Sequence, residues 1–237
     1  QPKFVPSGGV KITLGDKSTA NVRLIDCVGY PVDGAEGMTE DDKPRLVNTP
    51  WQSEPIPFEK AAELGTHIVA SEHSTVAVVV TTDGSIGDIP RENYVAAEAR
   101  TIVELDRIGK PYVVVVNSTM PDGENARAVC DEIAAKYGAT VVAVDVQKAD
   151  KKTMESVVSA LLREFPVARI FLNLPKWMRA LSADNKVVAE VLATVKKCAE
   201  NLCKMCDADK LCRGFEGCKF AESVTVSSLD MATGTIT

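Results

Sequence analysis

Two continuous runs of mainly β-branched residues, Val76–Val80 and Pro111–Val116, constrain the fold of this chain more than any other feature. Runs of this kind are typical of strands that are buried on both faces of a parallel sheet. Between them, residues 94–109 carry apolar side chains at helical spacing, and Gly109 provides a helix stop. A strand, a helix and a second strand in this order predict a parallel βαβ unit.

The same alternation continues along the chain. It predicts a helix at 124–137, a strand at 140–145 and a helix at 152–164. Before the first run, Val10–Leu14 and Val22–Ile25 flank the polar turn Gly15–Ser18 and predict an antiparallel hairpin. The predicted fold class is therefore α/β, a mostly parallel sheet with helices on both faces, in the order found in the later part of a GTPase-like P-loop NTPase domain.

The hairpin's second strand is predicted to end at Asp26, with Gly29 three residues later. A carboxylate at the end of a buried parallel strand can hold a Mg²⁺-bound water, and a glycine after it lets a backbone N–H approach a γ-phosphate. Asp26 and Gly29 are therefore candidates for catalysis and nucleotide binding. Asp and Gly are also common turn residues, so the alternative is a strand that simply ends in a turn.

The phosphate-binding motif G-x-x-x-x-G-K-[S/T] occurs nowhere in the 237 residues. The first residue is Gln1, and the predicted hairpin starts about ten residues later. We therefore expect a fragment that begins after the first strand and the P-loop of its domain.

Several segments of the chain match a known family. They are Gln1–Pro6, Arg23–Tyr30, Asn48–Trp51, Glu54–Phe58, Glu72–Thr75, Thr81–Asp88 and Gly109–Pro111. These segments resemble the stage IV sporulation protein A family, the spore-coat morphogenetic ATPases of endospore-forming bacteria. The long Pro-rich insert Pro31–Phe58 makes the resemblance specific, because small GTPases lack it. The resemblance is strong up to about Trp177.

The resemblance implies an ATPase that uses ATP and Mg²⁺ and polymerises with itself in the mother-cell cytoplasm. Its place would be peripheral, on the outer forespore membrane, where spore-coat and forespore-membrane-associated proteins are the implied partners. In that family Asp26 corresponds to the Mg²⁺-associated Walker B aspartate and Gly29 to the γ-phosphate glycine. The family's sensor threonines and Walker A lysine correspond to positions upstream of Gln1.

Asn117 and Ser118 are the candidates for binding the base of the nucleotide. Asn117 lies where GTPases place N-K-x-D, but Ser118 stands in place of the Lys and no Asp is in register. Because that Asp pairs with guanine, its absence favours ATP. A GTPase-like regulatory switch is therefore disfavoured, and a structural coat scaffold with a vestigial nucleotide site is the other alternative.

Composition sets further bounds on partners. The formal net charge of −6 gives no reason to expect nucleic acid. No apolar run is long enough to span a bilayer, so we expect membrane contact to be peripheral.

A boundary is predicted near residue 172. The NTPase domain would cover residues 1–172, and residues 173–237 would open a middle domain with an amphipathic helix at 186–205. Cys203, Cys206, Cys212 and Cys218 lie in this second part and could bind Zn²⁺. Cys198 belongs to the same cluster, but the predicted helix places it well round from Cys203 and Cys206, which lie near each other. A second C-x-x-C is also missing, and both observations count against metal binding.

Overall fold

The computed structural model describes residues 8–13, 19–40, 43–200, 202–231 and 233–237. The chain divides into two compact units, Gln1–Leu161 and Leu162–Thr237. This division lies earlier than the domain boundary predicted after residue 172, and each unit is described by itself below.

The first unit contains nine strands and four helices among its described residues. The strands are β1 (Val10–Thr13), β2 (Thr19–Val22), β3 (Thr39–Glu40), β4 (Lys43–Pro44), β5 (Leu46–Val47), β6 (Ile56–Pro57), β7 (Ala77–Thr82), β8 (Tyr112–Asn117) and β9 (Val141–Val144). The helices are α1 (Phe58–Ile68), which continues as a π-helix over Val69–His73, α2 (Arg91–Ile108), α3 (Glu124–Tyr137) and α4 (Lys151–Arg163), whose end reaches into the second unit.

The centre of the first unit is a parallel sheet in the order β7-β8-β9. Val79 pairs with Val114, and Val114 pairs with Val141. The middle strand β8 is buried from Tyr112 to Val116, as its continuous apolar run predicts. The βαβ prediction is confirmed, and α2 ends as predicted, because Gly109 adopts the left-handed conformation with φ of 67°.

Helices cover both faces of the sheet. On one face, Val114 and Val116 pack with Ile102 of α2 and Ile133 of α3. On the other face, α4 covers β8 and β9 in a small cluster of Val115, Val144 and Val157. Full burial of one such aliphatic side chain stabilises the fold by about 1.5–3 kcal/mol, so these two clusters hold the sheet and its helices together.

Strand β7 is different, because no described strand pairs with its outer edge. Val79 is buried, whereas its neighbours Val78 and Val80 are 43% and 64% exposed. Side chains alternate between the two faces of a strand. One face of β7 is therefore packed against the core, and the other presents valines to solvent.

The predicted antiparallel hairpin is confirmed between β1 and β2. Its second strand is Thr19–Val22, whereas Val22–Ile25 was predicted, so only Val22 is shared. The strand ends there because Val22 pairs with Val10, where β1 begins. Residues 23–29 have no regular structure, and Leu24 is 83% exposed. The prediction of a buried strand ending at Asp26 is therefore wrong. Leu14 and the turn Gly15–Ser18 lie outside the described residues.

The Pro-rich insert forms two small antiparallel ribbons, β3 with β4 and β5 with β6. Trp51 lies in the segment that connects β5 to β6, and it packs on α1. A Cβ added to Gly65 would meet the Trp51 ring at 3.5 Å, so the bare glycine backbone leaves the indole its place on the helix.

The second unit combines short strands and helices. They are β10 (Arg169–Ile170), α5 (Lys176–Arg179), α6 (Lys186–Ala199), a 3₁₀ turn (Met205–Asp207), α7 (Ala208–Arg213), β11 (Leu229–Asp230) and β12 (Thr235–Ile236). Strand β12 lies between β10, to which it is parallel, and β11, to which it is antiparallel.

The predicted helix at 186–205 is too long. Helix α6 ends at Ala199, and the chain beyond it pairs with a different segment. The Val167 N–H donates to the carbonyl of Cys203, and the Met205 N–H donates to the carbonyl of Phe165. These tertiary backbone bonds replace the helical ones. None of the helices in the described residues is both long and apolar enough to cross a bilayer.

Candidate functional site

Polar side chains gather where the three central strands end. Asp83 follows β7, Asn117 closes β8 and Asp145 follows β9. Because the strands are parallel, these residues lie along one edge of the sheet. Ligands of open α/β sheets bind at the carboxyl ends of the strands, so this edge is the candidate site.

Asp83 is the most connected side chain of the edge and is only 6% exposed. Its Oδ2 accepts a 2.7 Å hydrogen bond from Ser118 Oγ. Its Oδ1 accepts from the Ser85 N–H at 3.0 Å and from Ser85 Oγ at 2.6 Å. Burial raises the pKa of Asp83, but the hydrogen bonds from Ser85 and Ser118 outweigh it and hold that pKa below its usual range. Asp83 is therefore an ionised carboxylate at neutral pH.

The loop after β8 is fixed by this carboxylate. Ser118 is fully buried, and besides donating to Asp83 its Oγ accepts from the Met120 N–H at 3.0 Å. The Thr119 N–H donates to Ser85 Oγ, also at 3.0 Å. Ser118 was predicted to bind a nucleotide, and in this structure its hydroxyl points into the protein and shapes the loop.

Asn117 joins the loop after β8 to the loop after β9. Its Oδ1 accepts a 3.1 Å hydrogen bond from the Val146 N–H. In the second loop, Asp145 Oδ1 accepts from the N–H groups of Gln147 and Lys148 at 3.1 and 3.2 Å, and its Oδ2 accepts from Lys148 Nζ at 2.8 Å. The bond from Lys148 Nζ is the main cause of the lowered pKa of Asp145, which burial opposes.

An arginine stands beside the end of β7. Arg91 Nη1 donates to Thr81 Oγ1 at 3.3 Å and lies 2.9 Å from Glu98 Oε2. Arg91 Nη2 donates to Glu98 Oε1 at 3.2 Å, and Glu98 is 6% exposed. The guanidinium is thus neutralised and held by a buried carboxylate, which suits a structural pair better than a free cation for phosphate.

Asp26 and Gly29, the residues predicted for catalysis, lie in the irregular segment that follows β2. Asp26 is exposed, and no hydrogen bond or ion pair joins it to another described residue. Gly29 has φ of 81°, a conformation that favours glycine, and its N–H donates to Thr66 Oγ1 at 3.1 Å. The amide predicted to meet a γ-phosphate is therefore already bonded to a buried threonine of α1.

The segment after Gly29 is anchored between α1 and α2. The Tyr30 ring lies 4.6 Å from the Arg100 guanidinium carbon. On the same side, Glu104 accepts hydrogen bonds from Arg107 at 2.8 Å, and its Oε1 lies 2.6 Å from His67 Nδ1. The hydrogen bonds from Arg107 lead the causes that lower the pKa of Glu104 to about 2.

The cysteines predicted as a possible zinc site lie in the second unit. Cys203 is exposed, whereas Cys206, Cys212 and Cys218 are half-buried. Burial, followed by the charge of Glu164, raises the pKa of the Cys206 thiol and disfavours the thiolate that a metal would need. Within the described residues, no three His, Cys, Asp or Glu side chains form a group that could hold a metal. Zinc binding has no support from this geometry.

Sequence reasoning missed four polar residues of the strand edge. They are Asp83, Ser85, Asn125 and Asp145. The Asn125 side chain donates to the Asp83 carbonyl at 3.0 Å and so ties α3 to the same loop. The sequence does carry a signal for two of them, because Asp83 and Asp145 each come directly after an apolar strand. The same pattern singles out Asp26.

Comparison with known proteins gives two family matches. Residues 1–166 match the family model described as stage IV sporulation protein A, ATPase domain, and residues 167–237 match the one described as its middle domain. The whole candidate edge, from Thr81 to Lys148, lies in the first match.

Individual relatives agree with the family models. A stage IV sporulation protein A of Bacillus subtilis (strain 168) is 39% identical over 234 residues, which are 99% of this chain and 48% of the relative. A protein of the same name from Clostridioides difficile (strain 630) is 39% identical over 236 residues, and one from Bacillus anthracis is 36% identical over 234 residues. The aligned residues make up 100% and 99% of this chain, respectively, and 48% of each of these two relatives. The chain thus spans about half the length of these relatives. No solved structure matches.

Proposed function

Because the chain belongs to the stage IV sporulation protein A family, we propose that it is part of an ATPase whose turnover drives self-assembly of the spore-coat basement layer during sporulation. The protein acts in the mother-cell cytoplasm, peripherally on the outer forespore membrane. Its partners are further copies of itself and the coat and forespore-membrane-associated proteins that assemble on it.

One observation carries this proposal. The ATPase family model covers the parallel sheet, and the edge of that sheet is a polar surface that protein contacts already hold in place. A site that is ordered before its ligand arrives loses less conformational entropy on binding. The edge around Asn117 is therefore suited to hold the base of a nucleotide.

One side chain, that of Asp26, is suited to hold Mg²⁺. Asp26 offers an exposed carboxylate, and carboxylate oxygens reached through water are typical Mg²⁺ ligands. When bound, the metal neutralises the negative charge of the phosphates. Asp26 would hold the metal through a water molecule, and the Gly29 N–H would donate to the terminal phosphate. For this, that N–H would have to exchange Thr66 Oγ1 for a phosphate oxygen.

Two alternatives predict different behaviour. A GTPase-like switch would bind GTP at least as tightly as ATP, and the missing guanine-pairing Asp argues against it. A structural scaffold with a vestigial site would assemble without binding nucleotide. Two observations favour this alternative: Asp26 is exposed and pairs with no other residue that the structure describes, and the Gly29 amide is occupied.

The test uses the full-length protein with Mg²⁺. Binding of ATP and GTP is measured by competition against a fluorescent ATP analogue, and phosphate release and sedimentation of assemblies are followed in parallel. We expect ATP to bind at least about tenfold more tightly than GTP, with phosphate release that accompanies assembly. Assembly without nucleotide binding would establish the scaffold, and tighter GTP binding would establish the switch.

A further inference from the structure

The loops after β8 and β9 lie next to Asn117, where the base of a nucleotide is proposed to bind. At the start of both loops, every backbone N–H group already donates a hydrogen bond. In the loop after β8, the N–H groups of residues 118–120 donate to Val144 O, Ser85 Oγ and Ser118 Oγ. In the loop after β9, the Val146 N–H donates to Asn117 Oδ1 and the N–H groups of Gln147 and Lys148 donate to Asp145 Oδ1. The Lys148 N–H also donates to the backbone carbonyl of Asp145 at 3.2 Å. Every amide of both triplets is therefore bonded to a protein acceptor.

Several backbone carbonyl groups of the same loops, in contrast, accept no hydrogen bond from a described residue. No described residue donates a hydrogen bond to the carbonyl oxygens of Ser118, Thr119, Val146 or Gln147. One side-chain donor remains as well, because no described residue accepts a hydrogen bond from Asn117 Nδ2. The loops thus offer several carbonyl acceptors and a single amide donor.

This pattern discriminates between purines at position 6. A 6-amino purine such as adenine presents an N–H₂ donor there, which a carbonyl can accept. A 6-oxo purine such as guanine or hypoxanthine presents an acceptor instead, and a polar group that is desolvated without a partner is strongly disfavoured. Loops with several open carbonyls, no free backbone N–H and a single side-chain donor therefore favour the 6-amino group over the 6-oxo group.

We propose that Asp145 is a specificity-determining residue, which excludes 6-oxo purines by keeping the Gln147 N–H occupied, because no other described residue accepts a hydrogen bond from that amide. This inference rests on the proposed binding of a nucleotide at this edge. Asp145 is a better candidate than Asp83, because its hydrogen bonds stay within its own loop, whereas Asp83 also ties β7 to β8. Its removal frees the Gln147 N–H, whereas the Lys148 N–H keeps the backbone carbonyl of residue 145 as its acceptor, and the link between the strands stays intact.

The experiment compares Asp145→Ala with Asp145→Asn in the full-length protein. Asparagine keeps a side-chain oxygen that can accept from the Gln147 N–H, whereas alanine frees that amide. Dissociation constants are measured for ATP, GTP and inosine triphosphate. Inosine triphosphate has the 6-oxo group without the 2-amino group of guanine, so it isolates recognition at position 6.

We expect Asp145→Ala to lower the preference for ATP over both GTP and inosine triphosphate by about fivefold or more, and mainly by tightening the two 6-oxo nucleotides. Asp145→Asn should keep the wild-type preference within about twofold. If Asp145→Ala fails to show a cooperative thermal transition, Asp145→Leu keeps the bulk without an acceptor and carries the same expectation.

Each other outcome overturns the inference. An unchanged preference in Asp145→Ala, or an equal loss of all three nucleotides, would show that Asp145 only supports its loop. In both cases wild-type binding of ATP would leave the proposed function standing. A wild-type protein that binds no nucleotide would overturn the proposed function, and the inference with it.

Discussion

Ser118 Oγ donates a 2.7 Å hydrogen bond to Asp83 Oδ2, and the two residues are 35 positions apart in the chain. Both are buried at the ends of neighbouring strands. Buried polar groups are stabilising only when they are paired, and here the carboxylate also accepts from Ser85 and the hydroxyl also accepts from Met120. The pair therefore sets the shape of the edge without a ligand.

Replacing Asp83 should destabilise the first unit. Asp83→Ala leaves the buried Ser118 hydroxyl and the Ser85 donors without their acceptor, which costs about 1–3 kcal/mol in the free energy of unfolding. Ser118→Ala in the same background should add little, because the shared bond is already lost, and the coupling energy of the double-mutant cycle should be about 0.5–3 kcal/mol. Chaotrope-induced unfolding of the full-length protein measures both.

Asp88 supplies the matched control for that cycle. It lies in the same loop region and is exposed. Asp88→Ala should change the free energy of unfolding by no more than about 0.5 kcal/mol. Equal losses from the Asp83 and Asp88 variants would contradict the role given to the Asp83–Ser118 pair.

Asp26→Ala should lower the kcat for ATP hydrolysis by at least about tenfold in the full-length protein, by loss of Mg²⁺ positioning. Because Asp26 is exposed, the thermal transition should be unchanged. Steady-state phosphate release together with differential scanning calorimetry separates the two effects. The control is Glu54→Ala, which removes another exposed carboxylate and should leave kcat unchanged. Full activity of the Asp26 variant would show that the Asp26 carboxylate serves only its loop.

Acid should weaken the contact between α1 and α2. The folded-state pKa of Glu104 is about 2, below its ordinary value of 4.5, so Glu104 stabilises the fold above about pH 4.5. That contribution is lost as the pH falls from 4.5 toward 2. The difference in Tm between wild type and Glu104→Gln should therefore shrink between pH 5 and pH 2.5. A difference that stays constant over this range would remove Glu104 from the acid response.

The outer edge of β7, which no described strand covers, should drive self-association of the 237-residue chain when it is expressed by itself. Unpaired strand edges with exposed apolar side chains are templates for pairing, and Val80 is 64% exposed on this strand. Val80→Lys should reduce the associated fraction in sedimentation velocity. The matched control is Val103→Lys on α2, where the valine is 59% exposed but no strand edge is open. A similar reduction from both variants would indicate nonspecific apolar contact.

Local patterns predicted much of the first unit. Helix α3 has the predicted bounds of 124 and 137, and both ends of β8 lie within one residue of the ends of the predicted run Pro111–Val116. In both cases the decisive information is short-range: apolar spacing along one element, and a glycine that stops the helix. Gly109 and Gly138 adopt left-handed conformations at the ends of α2 and α3, and few other residues do so without strain.

The predictions that failed depend on contacts between segments that are distant in the sequence. The segment before Asp26 has the composition of a strand, but a strand needs a partner, and the hairpin register ends at Val22. Helix α6 stops early because the backbone near Cys203 and Met205 bonds to a segment almost 40 residues away. Likewise, no local pattern pairs Ser118 with Asp83, because their contact depends on the order of the strands.

Trp51 and Trp177 are the only two tryptophans of the chain, and this gives the packing of Trp51 a practical value. The Trp51 indole rests on Gly65, next to the threonine that anchors the Gly29 amide. With Trp177 replaced by phenylalanine, emission excited at wavelengths that tyrosine does not absorb comes from that single indole. If a terminal phosphate takes the Gly29 amide as proposed, this fluorescence should change, without any label, when the hydrogen bond to Thr66 is displaced.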